Sequence, residues 1–206
     1  MLQIFLLGTP LIILDGERLH ALTSLKSQAL LYYLAMSRRP HSRLTLAGLL
    51  WPEKNDTEAR TNLRQAVRQL RQAIGDAETG GYLLSTRDTV TIPAHLPIEV
   101  DASTFEWMLN AGLEGEMRLL QSAVNHYTGE FLSGLYLDDA YGYETWMLIE
   151  RERLRNLSIQ GLHTLAHHYA TQQEISAGLT VMRRLLEIEP WREEAHRLMM
   201  QFLAWD

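Results

Sequence analysis

The 206-residue chain contains no cysteine. That excludes a disulfide framework, a thiolate metal site and a cysteine nucleophile. Long apolar runs are missing too. The most apolar stretch near the start, Leu11 to Leu14, is far too short to cross a bilayer. Met1-Leu2-Gln3 lacks the basic region that opens a signal peptide. The expectation is a soluble, cytoplasmic protein with no membrane partner. There is no glycine-rich phosphate loop, because Gly75 to Gly81 lacks the lysine of a nucleotide-binding motif. Acidic residues are absent from Ala59 through Ile74. The remainder is ordinary for a globular protein. Hydrophobic residues make up 46% and charged ones 21%, enough for a real core in one large domain or two small ones.

Charge divides the chain in two. Residues 1–95 carry 11 basic and 8 acidic side chains, and residues 96–206 carry 8 basic and 17 acidic, for an overall −6. The split predicts two modules with different partners, 1–95 and 96–206. The first reads as α+β. Residues 2–14 form short strands, Asp15-Gly16 is a hairpin turn signal, and Glu17 to Leu22 is the returning strand. From Ser24 the period becomes helical, with Ala29, Leu30, Tyr33 and Leu34 on one stripe until Pro40. Ser42 or Thr45 caps a short helix over Leu46, Leu49 and Leu50, stopped by Pro52. Asp56 or Thr57 caps a third helix that runs to about Ile74, with Gly75 as its stop. After Gly80-Gly81, Tyr82 to Ile92 reads as a β-hairpin with the tip Thr86-Arg87-Asp88, and 93–99 as a linker.

The second module reads as all-α. Helices are expected from Asp101 or Ser103, over about Glu116–Tyr127, Glu144–Ala170, Ile175–Ile188 and Glu193–Leu203, with a loop over 133–143. Leu162, Leu165, Ala166, Tyr169, Gly178, Met182, Leu185 and Pro190 match the spacing of a tetratricopeptide-like helical hairpin. A weaker copy surrounds Trp107, Ala111, Ala123 and Tyr127.

The helix over 57–75 carries the chemistry. At 100° per residue, Leu63, Ala66, Val67, Leu70, Ala73 and Ile74 fall within an arc of about 120°. Arg60, Arg64, Arg68 and Arg71 lie on the other side, followed by Thr61, Gln65, Gln69 and Gln72. No carboxylate within the stretch can pair with those arginines at i,i+4. A charge run is most often a solvated face, but solvated faces usually mix signs. Arginine forks onto phosphate or guanine, and asparagine and glutamine onto adenine. A helix of this length, roughly 28 Å, can lie in a major groove. Three helices, the third basic, then a hairpin with Arg87 at its tip, is the order of a winged helix-turn-helix.

These residues carry a resemblance. Ser42-Arg43-Leu44-Thr45 to Leu49-Leu50-Trp51-Pro52, and Ala59-Arg60-Thr61-Asn62-Leu63-Arg64 to Leu70-Arg71-Gln72-Ala73-Ile74-Gly75, resemble the OmpR-type winged helix of the Streptomyces antibiotic regulatory protein family. Phe5-Leu6-Leu7-Gly8 and Asp15-Gly16 fit its start. Val100-Asp101, Phe105, Ala123 to Phe131, Asp138, Asp139, Trp146, Glu150 to Leu154 and Pro190-Trp191-Arg192-Glu193 resemble its bacterial transcriptional activation domain. The resemblance spans the chain. It implies an N-terminal winged helix-turn-helix and a tetratricopeptide-like helical domain. It also implies a transcriptional regulator, an activator, that reads direct repeats of promoter DNA as a head-to-tail dimer. The helical domain would contact protomers or RNA polymerase. The family's helical module usually continues through one more hairpin, so a cut or trimmed module is expected at Ala204-Trp205-Asp206.

Asn62, Gln65, Arg68 and Gln69 are the expected base-edge contacts, and Arg60, Arg64 and Arg71 the expected phosphate contacts. Arg43, Thr61, Thr86 and Arg87 are further backbone candidates, while Trp51 and Leu63 belong to the core. Glu53, Asp56 and Glu58 are expected to point away from DNA. His163 and His167 are spaced for a metal pair but lack a third ligand and the glutamate of the zinc-protease motif, so a surface or packing role is expected. The acid pairs Asp138-Asp139 and Glu193-Glu194 sit at loops and helix starts, where capping explains them. No catalytic site, cofactor or metal is expected. The competing reading is a protein–protein adaptor whose winged helix does not bind DNA.

Overall fold

The structure is a computed structural model, and it describes residues 1–75 and 81–205. Gly80 of the expected Gly80-Gly81 turn and Asp206 of the expected chain end lie outside the described residues. The chain divides into two compact units. One comprises Met1–Ser103 with Phe131–Glu150, the other Thr104–Glu130 with Arg151–Asp206.

In the first unit, β1 (Leu2–Phe5) pairs antiparallel with β2 (Leu11–Leu14), and β2 with β3 (Glu17–Arg18). Asp15 and Gly16 both have positive φ, 51° and 89°, which a tight hairpin turn of the primed type requires. α1 (Leu25–Ser37) is capped by Ser24, and Arg38 ends it in the left-handed region. β4 is His41–Ser42. α2 (Arg43–Leu50) follows, capped by Ser42 Oγ, which accepts from the Thr45 amide at 3.0 Å. The cap of α3 (Asp56–Ala73) lies one residue before the first predicted one, Asp56. The Asn55 side chain accepts from the Glu58 amide at 3.0 Å. This leaves Asp56 and Glu58 in the first turn, where negative charge suits the helix dipole. Ala59, Leu63, Ala66, Val67, Leu70 and Ile74 are all buried, and α3 packs on both α1 and α2.

The hairpin β5 (Leu84–Ser85) and β6 (Thr89–Thr91) joins β4 in a sheet of order β4-β6-β5. Its tip is held by Thr86 Oγ1, which accepts from the amides of Asp88 and Thr89 at 3.2 and 3.0 Å. The segment predicted as a linker contains a strand, β7 (Ile98–Val100), parallel to β1, so the other sheet runs β3-β2-β1-β7. Three residues between Pro97 and a helix are too few to show a period. Their partner β1 lies almost a hundred residues earlier. Asp101 opens α4 (Asp101–Leu113), and its buried carboxylate accepts from the amides of Leu6, Leu7 and Ala102 at 2.7, 2.9 and 2.7 Å. Residues 131–150 close the unit. The Leu132 amide donates to Leu6 O at 2.7 Å. Trp146 packs its ring on Tyr33, Tyr143 and Phe131 at 4.9, 5.0 and 5.8 Å.

The second unit holds the rest of α4, α5 (Met117–His126), the later part of α6 (Tyr141–Gln172), α7 (Ile175–Ile188) and α8 (Glu193–Trp205). Leu162, Leu165, Ala166, Met182 and Leu185 of the repeat pattern are buried, as are Ala123 and Tyr127. Trp107, assigned to the weaker copy, is instead 62% exposed. Glycines set the approach of neighbouring helices. A Cβ on Gly178 would lie 2.2 Å from the Phe202 ring of α8, and one on Gly112 would lie 2.6 Å from backbone atoms of Leu120 on α5. Arg153 forks onto Glu106 with contacts of 2.8 and 2.6 Å. Among the described residues no helix is long and apolar enough to cross a membrane.

A backbone atom cannot swing aside as a side-chain tip can. Gly112→Ala is therefore expected to lower stability by about 2 kcal/mol or more. Gly161→Ala, which would meet the tip of the Leu109 side chain, should cost less. Urea unfolding of the two variants checks the order.

Candidate nucleic-acid interface

Burial of one stripe of α3 decides where the rest of it points. With Leu63, Ala66, Val67 and Leu70 inward, Arg60, Thr61, Arg64, Gln65, Arg68 and Gln72 are exposed, and Asn62, Gln69 and Arg71 are half-buried. The Arg64 guanidinium donates to Thr61 Oγ1 at 2.9 Å, and Thr61 Oγ1 donates to Thr57 O at 2.9 Å. Those two contacts aim Arg64 outward along the helix.

The predicted residues other than Thr61 gather in three places. The first is an open cleft of about 830 Å³ between the start of α2, α3 and the hairpin tip. Arg43, Arg60, Arg64, Thr86 and Arg87 line it over Leu44 and Leu63, and Asp88 is the one carboxylate among its described lining residues. The second, about 370 Å³, brings Arg43, Arg64, Arg68 and Arg71 together with Gln72 and Ser85. The third, about 240 Å³, lies on the α1 side and holds Asn62, Gln65 and Gln69 with Ser24, Lys26 and Trp51. There the Gln69 carbonyl accepts from Ser27 Oγ at 2.8 Å. Gln69 thus ties α3 to α1, while Gln65 stands free in solvent. Arginine and amide candidates occupy opposite flanks of one exposed ridge.

The hairpin is held to the helices by arginines. Arg43 donates from its backbone to Asp88 O at 2.8 Å, from Nε to Thr86 O at 3.0 Å, and from one terminal nitrogen to Ser85 Oγ at 2.6 Å. Arg71 reaches Leu83 O at 3.4 Å. Among the described residues, none of Arg43, Arg60, Arg64, Arg68, Arg71 and Arg87 takes part in an ion pair with a carboxylate. Partial burial lowers the Arg43 pKa, the positive charges of Arg71 and Arg64 lower it further, and Asp88 opposes them. Glu53 lies 3.5 Å from Lys26, and Asp56 and Glu58 are exposed at the start of α3, outside the three spaces.

Sequence reasoning missed Ser42, Thr57, Gln72, Ser85 and Lys26. Thr57 and Gln72 lie on the polar side of the helix over 57–75, beside the row of Arg60, Arg64 and Arg68, but are not among the expected contacts. Ser85 has no local signal, because only closure of the hairpin brings it to Arg43. Among the described residues no group of three or more His, Asp or Glu side chains could hold a metal ion. His163 and His167 stack edge to face at 4.5 Å.

The family model for the bacterial transcriptional activator domain matches residues 102–205, half of the chain. The chain belongs to that bacterial transcriptional activator family. Its fold is similar to that of Mycobacterium tuberculosis EmbR in complex with a low affinity phosphopeptide, with a TM-score of 0.77 and 21% identity over 99% of this chain. The chain spans about half of that protein, 55% of its length. No curated protein sequence matches the chain.

His41 underpins the hairpin. It pairs with Val90 of β6, its Nε2 lies 2.7 Å from Ser37 Oγ, and its ring packs on Tyr33 at 4.9 Å. Burial and the charge of Arg39 push its pKa below the ordinary 6.5. As pH falls below 6.5, the unfolded chain takes up a proton that the folded chain refuses, so stability falls through that window. A His41→Gln variant should show a smaller loss of melting temperature between pH 7.5 and 5.5 than wild type. His163, lowered first by burial and then by His167 and Arg192, supplies a remaining slope.

Proposed function

We propose that the chain is a sequence-specific DNA-binding transcriptional regulator and acts as an activator. Residues 1–95 form its winged helix-turn-helix, of the OmpR type, and residues 96–206 its tetratricopeptide-like activation module. The observation that carries this reading is the ridge of α3. Four arginines without carboxylate partners among the described residues run along it into the hairpin tip at Arg87. Such a ridge suits duplex DNA, where phosphate contacts position the helix and base edges specify the site. Arg64, Arg68, Gln65, Thr61 and Gln72 form its exposed crest and enter the major groove. Arg60, Arg43, Thr86 and Arg87 follow the backbone or the neighbouring minor groove. Gln69 and Asn62, half-buried on the α1 side, hold the helix in register and contact DNA at its margin. Promoter direct repeats are read by two copies arranged head to tail. The acidic module contacts the neighbouring protomer or RNA polymerase. The protein works in the cytoplasm, without a cofactor, and is no enzyme.

A gel shift with duplex DNA from upstream of the chain's own gene tests the reading. With four to five phosphates neutralised, the log–log salt slope should be about −4. Replacing both Arg64 and Arg68 with alanine should abolish binding while leaving the melting temperature within about 2 °C of wild type, since both side chains are exposed. A flat salt response would overturn the groove model in favour of a protein–protein adaptor.

A further inference from the structure

We propose that the outer face of the first turns of α6, with the loop that leads into it, docks a basic amphipathic helix of a partner protein. The proposal rests on the reading of residues 96–206 as a partner-binding module and goes beyond it by fixing the surface and the chemistry of what it takes. A surface helix ordinarily turns an apolar stripe inward and a charged face outward. The start of α6 departs from that rule. Its inner side buries Tyr143 and Met147. Its outer side carries Tyr141, Thr145, Leu148 and Ile149, spaced i, i+4, i+7 and i+8 on one face, and all four are exposed. Tyr141, Leu148 and Ile149 are 76%, 58% and 59% exposed, and Tyr136 in the preceding loop is 68% exposed. All of them belong to the first unit, within Phe131–Glu150. A single exposed apolar residue is ordinary, whereas a row of them on one helix face marks an interaction site.

The surface is held ready. Leu135, Leu137 and Ala140 are buried and anchor the loop, while Tyr136, Asp138, Asp139 and Tyr141 around them are exposed. The Leu137 amide donates to a Glu144 carboxylate oxygen at 2.9 Å, which ties the loop to α6. Side chains presented by a fixed backbone lose little freedom on binding.

Charge names the occupant. From Phe131 to Glu150 the sequence holds four acids, Asp138, Asp139, Glu144 and Glu150, and no lysine, arginine or histidine. The Asp138 and Asp139 side chains are exposed and make no hydrogen bond or ion pair among the described residues. An apolar row beside unpaired carboxylates suits a helix with an apolar row of its own, edged by lysine or arginine. This chain offers no such helix among its described residues. α3 is basic but buries its apolar stripe, and α8, with Met200 and Leu203 exposed, opens on Glu193 and Glu194. The occupant is therefore a helix of another protein.

The test uses the full 206-residue chain and a fluorescein-labelled peptide of about 18 residues, built of leucine and lysine with the leucines at helical spacing along one face. A twin peptide carries glutamate in place of lysine. In anisotropy titrations, wild type should bind the lysine peptide about 10-fold or more tightly than its twin. Leu148→Ser with Ile149→Ser should weaken the lysine peptide by about 10-fold or more. Asp138→Asn with Asp139→Asn should weaken it by about 5-fold and flatten its salt dependence. Met200→Ser with Leu203→Ser, on the exposed face of α8, should bind as wild type does. Equal binding of the two peptides would overturn the basic partner. Unchanged affinity in the Leu148 and Ile149 variant, or an equal loss in the Met200 and Leu203 variant, would overturn the surface. Sedimentation velocity supplies the last arm: a dimer of the free chain that the Leu148 and Ile149 variant lacks would overturn the partner protein in favour of a second copy. Each of these failures leaves the gel shift at α3 as it is, and a flat gel shift leaves the docking surface standing.

Discussion

The structure of the first unit depends on the burial of one stripe of α3. Each fully buried leucine in that stripe contributes about 1.5–3 kcal/mol relative to exposure, and Leu63 and Leu70 are both sealed from solvent. Those contacts against α1 and α2 outweigh the mutual repulsion of surface guanidinium groups, each pair of which is strongly screened in water. The helix therefore cannot roll to hide its arginines. An exposed polar surface is generated as the complement of a packing requirement. Its cationic character follows from the absence of acids between Ala59 and Ile74.

The hairpin completes that surface by an arrangement of arginines that serve the fold as well as the face. Arg43 and Arg71 spend donors on carbonyls of the hairpin segment, at Thr86 and Leu83. The same side chains then crowd Arg64. Holding the hairpin close is what brings the charges together, so the crowding of the arginines and the position of the hairpin are two aspects of one geometry. His41 and Ser42 add the β4 edge, which fixes the sheet register at Val90 and Thr89.

The second unit follows a different rule. Its helices are set by what glycines leave room for, the backbone of Leu120 at Gly112 and the ring of Phe202 at Gly178. Most of its arginines are paired with carboxylates, as in Arg153 with Glu106 and Arg192 with Glu189. The excess of acids over the second half of the chain thus leaves a surface unlike that of α3.

Much of the design was legible in the order of residues. The amphipathic period of α3, the Ser42 cap, the Asp15-Gly16 turn, the Thr86-Arg87-Asp88 tip and the helices over 175–188 and 193–205 are local signals, and local signals depend on neighbours within a turn or two. The cap at Asn55 escaped by a single residue, because Asn, Asp and Thr in succession compete equally for that place. β7 was invisible, since a three-residue strand is defined by its distant partner. Sequence order alone determined that one helix would be greasy on one side and arginine-rich on the other. Only the tertiary structure decided that Gln69 turns to Ser27, that Ser85 and Leu83 hold Arg43 and Arg71, and that four guanidinium groups share one hollow. The physical reason is that side-chain periodicity is fixed by the helix itself, whereas convergence requires chain closure between residues from twelve to forty-two positions apart.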